Sequence, residues 1–490
     1  MLLAINSPPQ SHLIPSRSRQ HEHQFNRDIK VHTSSLVVIW AVLAQCRTSP
    51  ILCSTESENL MSGRLPLEET GTIPLESGVS GLLVIFLQLE YLDISELEQQ
   101  IIKTAIKMGS LPPSTTTSKV LFIIAGPPTA SVETATPTII EHWTAKMESY
   151  LKTPITHLRE SGSNTTVTIT SLLSPTVTPA YLAAQTHIIF LGVDSYHAYL
   201  QPFMRLLTAL LPAAQRLNPS LRIHNPPALV AWNANKTYLE ALAVAGFAVP
   251  RTTFVEPGTG IEELAQHIAE QHPHATKLVL KPSIAASGVG THLLAAPRAL
   301  SSADGAALQT IGAAAGTKVA VVANEAGKES GTRAKVMVQE FLPAIQPTAA
   351  AGEADERWGE WSFVVIAGKV VQVARKRPVG GEWRVNSAYG GRSEVMAAAD
   401  PRVPAAGRAV AEELWRWLVG HEKGLKSGGP VEGRTELLYA RIDGVLGLDG
   451  RFVIMEAELI EPWLWLFEEG PGRAGLDAFV GAILEPEKGV

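Results

Sequence analysis

LYARIDGVLGLDGRFVIMEAELIEP, residues 438–462, holds two apolar-rich stretches, Leu438 to Ile442 and Arg451 to Glu458, on either side of Leu448-Asp449-Gly450. Runs of this length broken by Asp-Gly predict an antiparallel hairpin. Side chains alternate along a strand, so Glu456 and Glu458 share one face, and pairing can bring Asp443 beside them. Three carboxylates so placed repel unless cations lie between them, and hard oxygen ligands suit Mg²⁺ (or Mn²⁺) bridging nucleotide phosphates. A solvated charged strand is the plainer alternative. Against it, Leu459, Ile460, Trp463, Leu464 and Trp465 make the surroundings apolar.

The same texture extends upstream. Val336 to Phe341, Trp361 to Ile366 and Lys369 to Arg375 predict strands, the last two joined by a tight turn at Ala367-Gly368. Ala409 to Val419 predicts a helix with Leu414, Trp415 and Leu418 inward. Two hairpin systems around a helix make an α+β unit able to clamp a flat ligand between sheets. Before it, Leu278-Val-Leu-Lys281-Pro-Ser-Ile-Ala-Ala-Ser287-Gly288-Val-Gly290 reads as a strand ending in a lysine, then a loop whose backbone N–H groups can approach phosphate oxygens. The lysine precedes the glycines, so this is not a Walker loop. Arg375-Lys376-Arg377-Pro378, Gly381-Glu-Trp-Arg384-Val-Asn386 and Gly390-Gly391-Arg392 concentrate cationic donors suited to a moving phosphoryl group and a substrate carboxylate.

Further towards the N-terminus the pattern changes to α/β. Val120 to Ile124 and His187 to Gly192 are continuous apolar runs, as buried parallel strands should be, and helical periodicity covers Ile139 to Leu151 and Tyr199 to Leu217, with a kink expected at Pro212. Lys236 to Ala245 also reads as helix. The expected organisation is an extension over 1–115, poorly ordered by composition with one helix-like pattern at Ile94 to Met108; an α/β domain over 116–228; and an α+β domain over 229–485. An Ala/Gly/Ser-rich surface insertion is expected at 301–335, holding a short helix and a possible strand at Val319 to Val322.

The chain has 490 residues and a formal charge of −6 with no sustained basic run, which argues against nucleic-acid and anionic-membrane partners. Its two cysteines, Cys46 and Cys53, lie in the extension and supply neither a disulfide framework nor a thiolate site. The apolar run Leu36 to Ala44 is far short of the roughly 20 residues that span a bilayer. A cytoplasmic location is expected, although Arg17, Arg19, Arg27 and Lys30 keep an organelle-targeting reading open.

Taken in order, these pieces resemble the ATP-grasp superfamily over most of 117–485. Trp232-Asn-Ala-Asn-Lys236-Thr-Tyr-Leu, followed by Gly246-Phe-Ala-Val-Pro250-Arg-Thr252, looks like its lysine-bearing helix and Gly/Pro-x-Thr link, and Val338-Gln339-Glu340-Phe341-Leu342 resembles its adenine hinge. The resemblance implies that an α/β N-terminal domain precedes an ATP-grasp fold clamping nucleotide between two subdomains. ATP would then meet Lys236, Lys281, Ser287, Gly288, Gln339, Glu340 and Leu342. Arg384, with Lys376, would act on the transferred phosphate, and Asp443, Glu456 and Glu458 would hold Mg²⁺.

The implied activity is an ADP-forming ligation of a small-molecule carboxylate to an amine through an acyl phosphate; a homodimer stays open. A nucleotide-binding regulator or scaffold without catalysis is the alternative. Glu456-Ala-Glu458 departs from the Glu-x-Asn of many members. It is most similar to the glutathione-synthetase-like branch containing the cyclo-ligase of cycloserine biosynthesis, where Trp463 replaces a usual serine.

Overall fold

The computed structural model describes residues 117–127, 134–161, 164–323, 329–347, 357–425 and 437–484. The extension over 1–115 and its Ile94 to Met108 pattern lie outside them.

Strand β1 (Ser118–Ile124) is the first of the described elements, and helices α1 (Pro137–Tyr150) and α2 (Lys152–Ser161) lead to β2 (Thr165–Ser171). Thr136 caps α1 by accepting from the Ile139 N–H, and Pro137 sits where no intrahelical donor is needed. Helix α3 (Pro179–Ala183), β3 (His187–Gly192), α4 (Leu200–Arg205), α5 (Leu211–Leu217) and β4 (Arg222–His224) complete a parallel sheet of order β2-β1-β3-β4. Alternation within β1 explains its unbroken apolar run. Val120, Phe122 and Ile124 join one core with Trp143 and Ile155, while Leu121 and Ile123 join another with Phe203 and Leu207. The break expected at Pro212 is a π-helical turn at Leu206–Leu210, just before that proline takes the second position of α5.

Helices α6 (Pro227–Asn233) and α7 (Tyr238–Val244) follow, with Lys236 in the turn between them and not inside a helix; its N–H donates to the Ser283 carbonyl. Next come β5 (Thr252–Val255), α8 (Ile261–Gln271), β6 (Leu278–Pro282), β7 (His292–Leu294), α9 (Ser302–Gly316), β8 (Val319–Ala323), β9 (Glu329–Arg333) and β10 (Val336–Glu340). Four of these strands form an antiparallel sheet of order β5-β10-β6-β7. The Ala/Gly-rich stretch is not a surface insertion: α9 opens on a Ser301/Asp304 capping box and buries Leu308, Ile311 and Ala315 in the core that holds Leu278, Leu280 and Val336. Small residues let the helix lie close, which an inventory of large side chains cannot register.

The last sheet contains β11 (Glu360–Ile366), β12 (Lys369–Arg377), β13 (Arg392–Ala397), β14 (Tyr439–Leu446) and β15 (Phe452–Glu458), in the order β13-β12-β11-β14-β15, all antiparallel. Ala367 and Gly368, at φ 46° and 84°, make the tight turn of the first hairpin. Helix α10 (Ala405–Leu425) covers one face with Leu414, Trp415 and Leu418. The final helix α11 (Gly472–Leu484) packs Leu476, Phe479 and Ile483 into the same core as Val120 and Phe122 of β1.

Asn225, fully buried after β4, joins the parallel sheet to the last one. Its Nδ2 donates to the Tyr439 and Leu459 carbonyls, both at 2.8 Å, and its Oδ1 accepts from the Leu438 and Tyr439 N–H groups. Asn225→Ala strands these groups away from water, and about 3–5 kcal/mol of stability should be lost in urea unfolding.

Candidate active site

One cavity of about 830 Å³ is lined by Lys236, Lys281, Ser287, Gly288, Gln339, Glu340, Leu342, Lys376, Arg384, Asp443, Glu456 and Glu458, so the residues picked out from sequence meet in one place.

Strand pairing builds its floor. On β11–β15 the register sets Glu360 opposite Lys376, Asp443 opposite Glu456, and Arg441 opposite Glu458. A charged row thus crosses the sheet. Lys376 Nζ lies 3.1 Å from Asp443 Oδ2 and also pairs with Glu360; Arg441 bonds Asp443 at 2.7 Å and pairs with Glu458; Lys236 Nζ lies 3.0 Å from Glu456 Oε1.

The cations expected between the carboxylates are therefore, in the first place, the protein's own. Burial opposes charge on Asp443, yet Arg441 and Lys376 hold its carboxyl below the usual range. Burial similarly opposes Glu456, and Lys236 and Lys281 outweigh it. Glu458 goes the other way, pushed up to about 7 by burial and the neighbouring Glu456 and Asp443, against Arg441.

These details bear on the Mg²⁺ assignment. Among the described residues no group of three or more His, Cys, Asp or Glu is arranged to hold a metal ion. Glu456 and Glu458 have the right chemistry, with side chains 30% and 24% exposed towards the cavity, whereas Asp443 is 4% exposed and both its oxygens accept from Arg441. The first two fit a hard divalent cation; Asp443 is spoken for. Lys376, expected at the phosphate, is likewise enclosed by Glu360 and Asp443.

The opposite wall comes from β6 and the loop after it. Lys236 Nζ donates to the Ala285 carbonyl at 2.6 Å and Lys318 Nζ to the Ile284 carbonyl at 2.8 Å, pinning the start of that loop. Ser287, Gly288 and Gly290 all have positive φ, at 56°, 70° and 71°. Gly288 is also confined, since a Cβ there would lie 3.0 Å from Asn386 Oδ1. The loop meets the 384–389 segment, where the Tyr389 hydroxyl donates to the Gly288 carbonyl at 3.3 Å. Arg384 stacks on Tyr389 at 3.6 Å and forms a 2.7 Å ion pair with Glu382, so its guanidinium is engaged beside the site.

Lys281 differs from Lys236 and Lys376, the other lysines of the cavity. No hydrogen bond or ion pair reaches its Nζ from the described residues, and burial lowers it to about 8. A cation so placed calls for an anionic ligand. If that ligand is a nucleotide phosphate, affinity should fall as pH rises above about 8 and Lys281 loses its proton, and Lys281→Arg should flatten the fall. Titration calorimetry with ATP from pH 7 to 9.5 reads both.

At the end of β10, Gln339 is buried and donates to Thr252 Oγ1 at 3.0 Å, and Glu340 Oε1 lies 3.6 Å from His272. Phe341, Leu342, Ile345, Val385 and Met455 form a small apolar cluster that lines the cavity.

Apart from Trp463, the far end of the cavity was not assigned from the sequence. Tyr150, Asp194, Tyr196, Glu461, Trp463 and Phe467 line it, with Tyr150 and Trp463 ring centroids 4.8 Å apart. Asp194 Oδ1 is buried without a partner, and burial with nearby Glu458 pushes Glu461 well above the usual carboxylate range. Asp194 follows the C-terminal end of β3, the position at which parallel sheets present ligand-binding groups, and that was its available signal. Arg441 had one too: two residues before Asp443, it must share its face.

No protein-family model and no curated protein sequence matches the chain. Solved structures do. D-cycloserine synthetase DcsG aligns with a TM-score of 0.50 at 18% identity, over 75% of this chain and 100% of that one. A D-alanine–D-alanine ligase from Bacillus anthracis complexed with ATP gives a TM-score of 0.44 at 13% identity, over 75% and 97%; the ATP-grasp ligase PsnB with a minimal precursor gives 0.41 at 16%, over 75% and 99%. At such identities the likeness is one of fold, and the fold is ATP-grasp, preceded by a parallel α/β sheet. No described helix is long and apolar enough to cross a membrane.

Proposed function

We propose that the chain is an ATP- and Mg²⁺-dependent ligase that joins a small-molecule carboxylate to an amine, releasing ADP and phosphate. The observation carrying this reading is that a half-buried lysine, unpaired among the described residues, and a glycine loop face, across one cavity, two carboxylates and an arginine on adjacent strands. Phosphate-directed groups lie on one side and groups able to handle a carboxylate and a cation on the other.

In this reading the purine lies in the apolar slot by Leu342 and Ile345, with Glu340 and Gln339 at the hinge. Lys281, Lys236 and the Ser287–Gly288 backbone bind phosphates. Glu456 and Glu458 would hold Mg²⁺, which neutralises charge developing on the phosphates. Arg441, held by Asp443 and Glu458, adds positive potential beside the place a substrate carboxylate would take; one oxygen of that carboxylate attacks the γ-phosphorus and ADP leaves. Arg384, exchanging Glu382 for the moving phosphoryl group, stabilises that transfer. The amine then attacks the acyl carbon and phosphate leaves. Asp194 and Glu461, whose carboxyls burial pushes up, suit an amine that enters as a cation and can take the proton it gives up before attack, and Trp463 and Trp465 keep water from the acyl phosphate.

The enclosed state of Asp443 and Lys376 favours a second reading, a nucleotide-binding regulator without catalysis. Incubation with ATP, Mg²⁺ and pooled amino acids separates the two. ADP and phosphate formed with an acceptor support the ligase; AMP release contradicts the acyl-phosphate route; ATP bound but never consumed favours the regulator.

A further inference from the structure

β15 is the outer strand of its sheet, yet its open edge is occupied. The Ile454 N–H donates to the Ala248 carbonyl at 2.8 Å. At Ala457 the partners are side chains: its N–H donates to the Tyr238 hydroxyl at 2.9 Å, which donates back to the Ala457 carbonyl at 3.1 Å, and Asn233 Nδ2 donates to that same carbonyl at 2.8 Å. Asn233 Oδ1 then accepts from the Leu459 N–H at 3.0 Å. Both side chains are buried, Asn233 at 5% and Tyr238 at 3% exposure.

Ala457 is the residue between Glu456 and Glu458. Its methyl group points into the core that contains Tyr238 and Leu242, so the two flanking carboxylates must face the cavity. Between Asn233 and Tyr238 in sequence comes Lys236, the partner of Glu456.

We infer that Tyr238 and Asn233 are positioning residues: acting as a substitute strand, they lock the Ala457 backbone and so fix the separation and aim of Glu456 and Glu458 for a divalent cation. This rests on the reading of those two carboxylates as cation ligands. Supporting groups behind metal ligands commonly set affinity by ten- to a hundredfold. Tyr238 is the cleaner member of the pair, because Asn233 also lines the cavity and Tyr238 does not.

The test is Mn²⁺ affinity in the presence of a non-hydrolysable ATP analogue, read by water-proton relaxation, together with hydrogen exchange at the Ala457 amide. In Tyr238→Phe the amide should exchange faster and Mn²⁺ should bind about tenfold more weakly, with the affinity for the analogue alone unchanged. Leu242→Val, on the same helix and in the same core but without a bond to β15, should lower the melting temperature and leave Mn²⁺ affinity as in wild type. Should Tyr238→Phe not fold, Asn233→Ala is expected to give the same tenfold weakening. A folded Tyr238→Phe with faster exchange and wild-type Mn²⁺ affinity overturns the inference, as does an equal loss in Leu242→Val. A wild type that binds no Mn²⁺ with the nucleotide overturns the cation-ligand reading itself, and this inference with it.

Discussion

Glu456→Gln should lower turnover about a hundredfold or more while changing nucleotide affinity much less. The substitution preserves shape and a hydrogen bond for Lys236, 3.0 Å away, but removes a charge where a divalent cation must sit beside developing phosphate charge. The loss belongs to the transition state, so it should fall on kcat more than on KM for ATP. Raised Mg²⁺ should recover part of it. Steady-state kinetics at limiting and saturating Mg²⁺ provide the check; wild-type rates at limiting Mg²⁺ would exclude Glu456 from the cation site.

Lys376→Met should act on folding first. Lys376 Nζ is enclosed by Glu360 and Asp443, all three almost wholly buried. Asp443 keeps Arg441, but Glu360 loses its direct partner, and removing one member of a buried pair typically costs about 3–5 kcal/mol. Burial already raises the Glu360 carboxyl above its ordinary value, with Asp443 adding to the rise and Lys376 opposing it. Without Lys376 it should rise further, so the folded variant binds a proton that the unfolded chain has released. Its stability is then retained at low pH and lost as pH rises through that folded value. Urea unfolding at pH 5 and pH 8 should show the larger deficit at pH 8, and Lys376→Met with Glu360→Gln should recover much of it. A variant of wild-type stability at both pH values, impaired only in turnover, would return Lys376 to the phosphate.

The same geometry explains how far the sequence could be read. Interior strands β1, β3, β6, β10, β11, β12 and β14 are apolar on one or both faces and stood out as runs. The strands that escaped in the three large sheets, β2, β4, β5, β7 and β13, are all edges. Thr165–Ser171 and Arg392–Ala397 carry Thr, Ser, Arg and Glu because an edge is half solvated and must not recruit further strands. Helix α11 was hidden by its glycines. Gly475 is required there, since a Cβ would lie 2.4 Å from Gln372 Oε1.

At the site, residues carried by short motifs were legible, because spacing along a strand dictates a face. What motifs could not convey was pairing across chain distance. That Lys376 belongs to Glu360, and that Asp194 shares a cavity with Glu461, depends on register and on sheets meeting, which spacing alone does not encode.

The core beneath β1 is closed by α11, and His157 of α2 meets Asp477 at 3.1 Å across 320 residues of chain. During synthesis, therefore, the parallel sheet emerges from the ribosome with Ile155 and Leu158 of α2 lacking the cover that α11 supplies. Domains that fold as they emerge complete themselves early; this one must wait for α11. A growing chain with that surface open is a natural client for a chaperone, and a translation stop before Gly472 would leave that core unsealed.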